Sequence, residues 1–130
     1  MKRSVCLLGL GLLGLGLCCM ATSAMADSAI NTIIAVANPR NYEDRCPTTI
    51  TFVGTISVNQ PTKVMYRWER SDRVIGRTET AVIQGRGQSV STSWQLSRPK
   101  GATFKGAETL HVLSPADQVS NPAEFTLTCR

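Results

Sequence analysis

Residues 62–72 read TKVMYRWERSD, and apolar side chains recur at alternate positions of this stretch. Val64, Tyr66 and Trp68 share one face, whereas the other face is mostly charged. Because successive side chains of a β-strand point to opposite sides of the sheet, a period of two predicts a half-buried strand. Tyrosine and tryptophan supply large apolar areas, so this face is the expected centre of a core.

The same alternation recurs along the chain, and residues that favour turns separate the alternating segments. Gly54 interrupts one apolar face, which predicts a bulge or a close approach by a neighbouring element. Gly85-Arg86-Gly87 predicts a hairpin between two of the segments. The predicted strands lie within residues 29–36, 48–58, 62–72, 78–83, 88–96, 110–112 and 125–129.

Seven short strands, with no helical period after residue 26, predict an all-β chain. The expected architecture is an immunoglobulin-like antiparallel β-sandwich of about seven strands, because such domains hold that many strands in about 100 residues. A small barrel is the alternative, since alternation alone does not separate the two folds.

Residues 1–26 have the composition of a cleaved secretory signal peptide. Lys2 and Arg3 precede an apolar run, and Ala24-Met25-Ala26 offers small residues at the cleavage site. A retained anchor is the alternative, but the run is short and rich in glycine for a bilayer core of roughly 30 Å. We therefore expect a signal peptide at 1–26 and one exported domain at 27–130, periplasmic or secreted and not membrane-spanning after cleavage.

Cleavage would leave two of the five cysteines, Cys46 and Cys129. An even pair in an exported domain predicts one disulfide, with two free buried thiols as the alternative. The bridge would close a separation of 83 residues. On the chain-entropy model, such a bridge stabilises a domain by about 4 to 5 kcal/mol.

The sequence offers no motif for catalysis or metal binding. His111 is the only histidine, and no Gly-x-Ser-x-Gly elbow accompanies it. One histidine and two bridged cysteines cannot build a tetrahedral zinc site, and no calcium loop of EF-hand spacing is present. Acidic residues distant in sequence could still meet in the fold. We expect no enzyme and no cofactor.

Several short motifs occur between the two cysteines of the exported domain. They are Cys46-Pro47, Phe52-Val53-Gly54-Thr55-Ile56, Tyr66-Arg67-Trp68-Glu69-Arg70-Ser71-Asp72, Val90-Ser91-Thr92-Ser93-Trp94, Val112-Leu113-Ser114-Pro115, Ser120-Asn121-Pro122-Ala123 and the closing Phe-x-Leu-x-Cys. Together they resemble a widespread group of bacterial exported immunoglobulin-like domains. The resemblance implies export and the sandwich fold, and no shared activity accompanies it. Arg73 stands where such chains commonly have glycine, so the turn geometry there stays open.

In a sandwich of that topology, the two cysteines lie at one tip, and the disulfide joins the last strand to the base of the second. A sugar-binding platform on the two tryptophans is the alternative to their burial, and Tyr42 and Phe104, expected in loops, are better placed to meet a ligand. The expected core residues are Phe52, Tyr66, Trp68, Trp94 and Phe125.

The same topology would collect most basic residues of the exported domain at one end, which we call the basic end. Residues 27–130 hold twelve basic and nine acidic residues, a formal charge of +3, which does not indicate a nucleic-acid partner. A solvated surface with local ion pairs is the alternative to a binding site. The basic end comprises Arg40, Arg45, Arg70, Arg73, Arg77, Arg98, Lys100, Lys105 and Arg130.

The sequence therefore predicts a non-catalytic exported binding or structural module. The basic end is expected to meet an anionic envelope component or an acidic protein. The alternative function is inhibition of an extracellular hydrolase through the loop of residues 97–105.

Overall fold

A computed structural model describes residues 29–130, and the predicted signal peptide lies outside them. This range contains nine β-strands and no helix, so the all-β prediction is confirmed, with two strands more than expected. The strands are β1 (Ile30–Asn38), β2 (Asn41–Asp44), β3 (Thr48–Val58), β4 (Thr62–Arg70), β5 (Glu79–Ile83), β6 (Gln88–Leu96), β7 (Thr103–Ser114), β8 (Gln118–Val119) and β9 (Ala123–Cys129).

The strands form two sheets. The three-stranded sheet has the order β1-β3-β6, and the larger sheet has the order β2-β9-β7-β4-β5, with β8 paired to β7. All pairs are antiparallel except β2 with β9, which run parallel. Alternation along each strand directs one set of side chains of each sheet into a shared core, as in a β-sandwich.

Aromatic side chains from both sheets meet in this core. Phe52 of β3 lies 6.5 Å from Trp68 of β4 and 5.7 Å from Phe125 of β9, measured between ring centroids. Trp94 of β6 contacts Phe125 edge to face at 5.5 Å. Trp68 and Trp94 are only 6% and 5% exposed, and Tyr66 is also buried. The two indoles therefore do not form an open platform for a sugar.

Gly54 marks a close approach and not a bulge. The ladders of β3 with both neighbours continue through Gly54 without a shift of register. A Cβ atom placed there would overlap Cδ2 of Leu110 and lie 3.2 Å from the Trp68 ring. The missing side chain allows the two sheets to approach at this point.

The predicted disulfide is confirmed. The Cys46 and Cys129 sulfur atoms are 2.03 Å apart. The bridge joins the connection between β2 and β3 to the last residue of β9. Cross-linking residues so far apart in sequence restricts the unfolded chain strongly.

The predicted hairpin at residues 85–87 is wrong. β5 pairs with β4 and β6 pairs with β3, so the connection between β5 and β6 crosses from one sheet to the other. The Gln88 side chain accepts from Gln84 N–H (3.0 Å) and donates to the Val82 carbonyl (2.9 Å), which fixes this crossing. A glycine-rich link can change sheets as readily as it reverses within one.

Candidate functional site: a cleft beside the basic end

An open cleft of about 750 Å³ lies where β1 faces β9. The chain leaves β1 after Asn38 and pairs with β9 only from Asn41, which lies opposite Thr126. The part of β9 before Thr126 is therefore not covered by β2. The cleft is lined by Ala35, Val36, Ala37, Arg40, Asn41, Ser71, Lys105, Gly106, Ala107, Asn121, Pro122, Ala123, Glu124, Phe125 and Thr126.

The Asn121 side chain ties the two walls of the cleft together. Its Oδ1 atom accepts from Ala35 N–H (3.0 Å), and its Nδ2 donates to the Ala35 carbonyl (2.8 Å). The amide thus replaces one peptide group of a neighbouring strand. β1 is held next to the start of β9 without a continuous ladder between them.

Two cations flank the strand that forms the floor of the cleft. Thr126 N–H donates to the Arg40 carbonyl (2.7 Å), and Thr126 lies opposite Lys105 in the β7–β9 ladder. Adjacent strands are about 4.8 Å apart, so the main chains of Arg40 and Lys105 are separated by about 10 Å. Both side chains are exposed and form no ion pair within residues 29–130. Glu124 is the one acidic residue in the lining.

Four further basic residues lie around the disulfide. Gly101 N–H donates to the Cys129 carbonyl (2.6 Å), which brings Arg98 and Lys100 beside the end of β9. Arg130 N–H donates to the Asp44 carbonyl (2.9 Å), next to Arg45. The Arg130 side chain forms an exposed ion pair with Glu43 at 2.9 Å. Arg45 and Lys100 have no ion pair in the described part of the chain.

Two arginines of the basic end cover aromatic rings. The Arg70 guanidinium lies 3.9 Å from the centroid of Trp94 and also binds Asp72, whose pKa it lowers. The Arg98 guanidinium lies 4.1 Å from the centroid of Phe104 and donates to the Ser97 carbonyl (2.8 Å). Such cation–π contacts extend the packing of the aromatic core to the surface. Arg70 and Arg98 are thus already engaged within the domain.

The structure carries Arg77 away from the disulfide tip, whereas Arg73 lies in the turn after β4. Arg70 lies opposite Glu108, five residues and about 17 Å from the start of β7, and the turn continues toward that start because Ser71 N–H donates to the Ala107 carbonyl (2.9 Å). Arg73 is at the turn with φ of 72°, the conformation that glycine adopts freely. Gly76 N–H donates to the Trp68 carbonyl (2.8 Å), so the chain returns along β4 and carries Arg77 away from the tip.

The predicted loop of residues 97–105 is shorter in the structure. Residues 103–105 belong to β7, and Phe104 is half-buried with its ring 5.8 Å from Trp94. Tyr42 lies in β2, half-buried, with its hydroxyl donating to the Arg45 carbonyl. Neither aromatic residue is in a loop. The inward positions after Phe104 are Gly106 and Glu108, which hid the start of this strand from the apolar pattern.

Sequence reasoning missed a charge cluster on the outer face of the larger sheet. His111 Nδ1 lies 3.0 Å from Glu69 Oε2, and its Nε2 lies 2.6 Å from Asp117 Oδ1. Arg67 Nε also donates to Glu69 Oε2 at 2.8 Å. Hydrogen bonds to Glu69 and then to Asp117 raise the pKa of His111, and the bond from His111 lowers the pKa of Glu69. Both imidazole nitrogens are occupied by carboxylates, an arrangement that serves cross-linking of strands better than proton transfer to a substrate.

Glu108 is a buried carboxyl group that the apolar pattern did not predict. It is 3% exposed, and its Oε2 atom has no hydrogen-bond partner among the described residues. Burial raises the pKa of Glu108 to about 7, against the lowering effect of nearby Arg70. Trp68 Nε1 is likewise buried without a partner in this range.

Within residues 29–130, no group of three or more histidine, cysteine or acidic side chains has the geometry to hold a metal ion. The same range contains no helix long and apolar enough to span a bilayer. Comparisons with protein-family models, with curated proteins and with solved structures find no match for this chain.

Proposed function

We propose that this protein is an exported, non-catalytic immunoglobulin-like module that binds an anionic partner at the cleft beside its basic end. The observation that carries the proposal is the placement of Arg40 and Lys105. The two exposed cations flank Thr126 and have no acidic partner in the described chain. An anionic group seated over Thr126 would meet positive charge from both sides.

The strand order supports the immunoglobulin-like assignment. Constant-type immunoglobulin domains place strands A, B and E in one sheet and strands C, F and G in the other. β1, β3 and β6 would correspond to A, B and E, and β4, β7 and β9 to C, F and G. Here β5 pairs with β4 and not with β6, and the disulfide joins the end of β9 to the connection before β3 instead of linking the middles of two strands.

Charge balance supports an anionic ligand over a simple solvated surface. Seven members of the basic end form no ion pair in residues 29–130: Arg40, Arg45, Arg73, Arg77, Arg98, Lys100 and Lys105. Unpaired cations repel one another, and that repulsion is relieved when an anion binds. The chemistry suits phosphate or carboxylate groups of an envelope component, or an acidic protein face.

The test measures binding to vesicles of anionic phospholipid and of neutral phosphatidylcholine at increasing salt. We expect binding to the anionic vesicles alone, weakening as salt rises. Arg40→Glu and Lys105→Glu should each reduce this binding about tenfold, a loss of about 1.4 kcal/mol. Arg86→Glu is the matched control, because it makes the same charge change in the connection between β5 and β6.

Several results would contradict the proposal. Equal binding to neutral vesicles, or an equal effect of all three substitutions, would show that the cleft has no special role. If the wild-type protein does not bind anionic vesicles, binding of the same variants to an acidic polysaccharide and to an acidic protein is measured. Absence of salt-sensitive binding to all three ligands would reject an anionic partner. Inhibition of an extracellular hydrolase stays a prediction, and the loop that would carry it is now residues 97–102. Hydrogen bonds of Gly101 and Ala102 with Cys129 hold this loop in place.

A further inference from the structure

The three-stranded sheet contains no charged side chain. β1, β3 and β6 read INTIIAVAN, TTITFVGTISV and QSVSTSWQL. All twenty charged residues of the described range lie elsewhere, twelve basic and eight acidic, which gives this range a formal charge of +4. Two copies of a protein with this net charge repel one another through most of their surface. Within its three strands, this sheet offers a surface where two copies can meet without a charged side chain, and Arg86 and Arg98 lie just beyond the two ends of β6.

Three of the four sheet edges carry a feature that opposes pairing with another chain. Edge strands with unpaired backbone groups are templates for association, and proteins block them with short strands, charges or covering groups. β2 and β5 have four and five residues and carry Glu43, Asp44 and Glu79. The edge of β1 is covered at Ala35 by both hydrogen bonds of the Asn121 side chain.

The edge of β6 has none of these features. β6 is nine residues long without proline or charge, its ladder with β3 is regular, and no second strand pairs with it in the described chain. Val58 N–H, at the end of β3, points to the β6 side and donates to Gly85. Because backbone groups alternate along a strand, the groups that face away from β3 belong to Ser89, Ser91, Ser93 and Gln95.

We propose that β6 pairs antiparallel with β6 of a second copy of this chain, which joins two three-stranded sheets into one of six strands. A register centred on Thr92 places Ser91 opposite Ser93 of the other copy and Ser89 opposite Gln95. This register is two-fold symmetric and pairs every outward backbone group of the four residues. The side chains of these residues are exposed, small or uncharged, and stand beside one another across the new strand pair.

The dimer should be reversible. An interface made by one strand pair lies at the small end of protein interfaces, below about 1,200 Å² in total, which is typical of weak complexes. The inference does not depend on the proposed function, because the basic end and the β6 edge use different residues.

The experiment is sedimentation equilibrium of the purified protein over a wide concentration range, from about 1 μM to about 1 mM, which brackets weak affinities. The wild-type mass should rise toward twice that of the monomer. Ser91→Pro removes one outward N–H, which an edge strand tolerates, and Ser93→Lys brings like charges together across the pair. Both variants should stay monomeric. Thr32→Lys is the control, because it adds the same charge to β1, at the opposite edge of the sheet.

Amide hydrogen exchange at low and high concentration tests the register. The amides of Ser89, Ser91, Ser93 and Gln95 should become protected only at high concentration, while the alternate residues are protected at both. Far-UV circular dichroism verifies that each variant is folded. If Ser91→Pro does not fold, Ser93→Lys alone tests the interface. A monomeric wild type at every concentration overturns the proposal, even if β6 binds another protein. A folded Ser93→Lys variant that dimerises as strongly as wild type also overturns it. So does concentration-dependent amide protection at residues other than these four.

Discussion

His111 Nδ1 lies 3.0 Å from Glu69 Oε2, a contact that joins β7 to β4 across the outer face of the larger sheet. The same imidazole binds Asp117 in the connection that leads to β8, so one residue holds three segments together. With both nitrogens facing carboxylates, the imidazolium form satisfies both contacts.

This contact predicts a pH-dependent contribution to stability. The pKa of His111 is raised on folding, so its contribution is complete below 6.5 and is lost as pH rises through the folded-state pKa. In urea unfolding from pH 5 to 9, His111→Gln should lower the free energy of unfolding by about 1 kcal/mol at the acidic end and little at the alkaline end. Asp117→Asn should produce part of this change. A difference that does not vary with pH would contradict the assignment.

Glu108 predicts a second pH effect at a separate position. Its pKa is raised from 4.5 to about 7, so the folded protein loses stability as pH rises from 4.5 through 7, when burial opposes ionisation. Glu108→Gln should remove this loss and be more stable than wild type at pH 8, by about 1 to 3 kcal/mol. Glu124→Gln, on the exposed face of the adjacent strand, is the control and should follow the wild-type curve. A Glu108→Gln curve parallel to wild type would contradict the prediction.

Gly54 predicts a steric effect that its sequence neighbours do not show. Gly54→Ala should destabilise the domain by about 1 to 3 kcal/mol, because the added methyl group overlaps Leu110 and approaches Trp68. Gly85→Ala is the matched control: a Cβ there meets nothing within 4 Å, and Gly85 is not among the glycines with positive φ. Thermal unfolding measures both variants. Equal melting temperatures would mean that the sheets can separate at Gly54 without cost.

Removal of the disulfide should be the most destabilising of these changes. Replacement of Cys46 and Cys129 by alanine should lower the free energy of unfolding by about 2 to 5 kcal/mol. Wild-type protein unfolded in the presence of dithiothreitol should show a similar loss, because the same chain constraint is removed. If the double variant unfolds at the same urea concentration as the wild-type protein, the core alone maintains the fold.

Much of the fold was predictable because it depends on local alternation. β3 and β6 end where the sequence predicts, and the inward faces that contain Phe52 and Trp94 are buried. β2 was missed because four residues with Tyr42 as their one large apolar side chain give no period. β7 begins seven residues before its predicted core because Gly106 and Glu108 occupy inward positions.

The candidate site was less predictable because it depends on which strands become neighbours. The sequence named Arg40 and Lys105, but their arrangement on either side of Thr126 follows from the parallel pairing of β2 with β9. The contact of His111 with Glu69 depends on the register between β4 and β7. A register shift of one residue would place Glu69 on the face of the sheet opposite His111.

By itself, the sequence determined most of the β-strands, their buried faces and the cysteines available for a bridge, because each follows from side-chain chemistry at fixed local spacing. Only the tertiary structure decided the sheet order, the crossing at residues 84–87, the cleft beside β9 and the open edge of β6. Those features depend on contacts between segments far apart in the chain. Backbone hydrogen bonding is the same for every residue type, so it does not mark in the sequence which strands will pair.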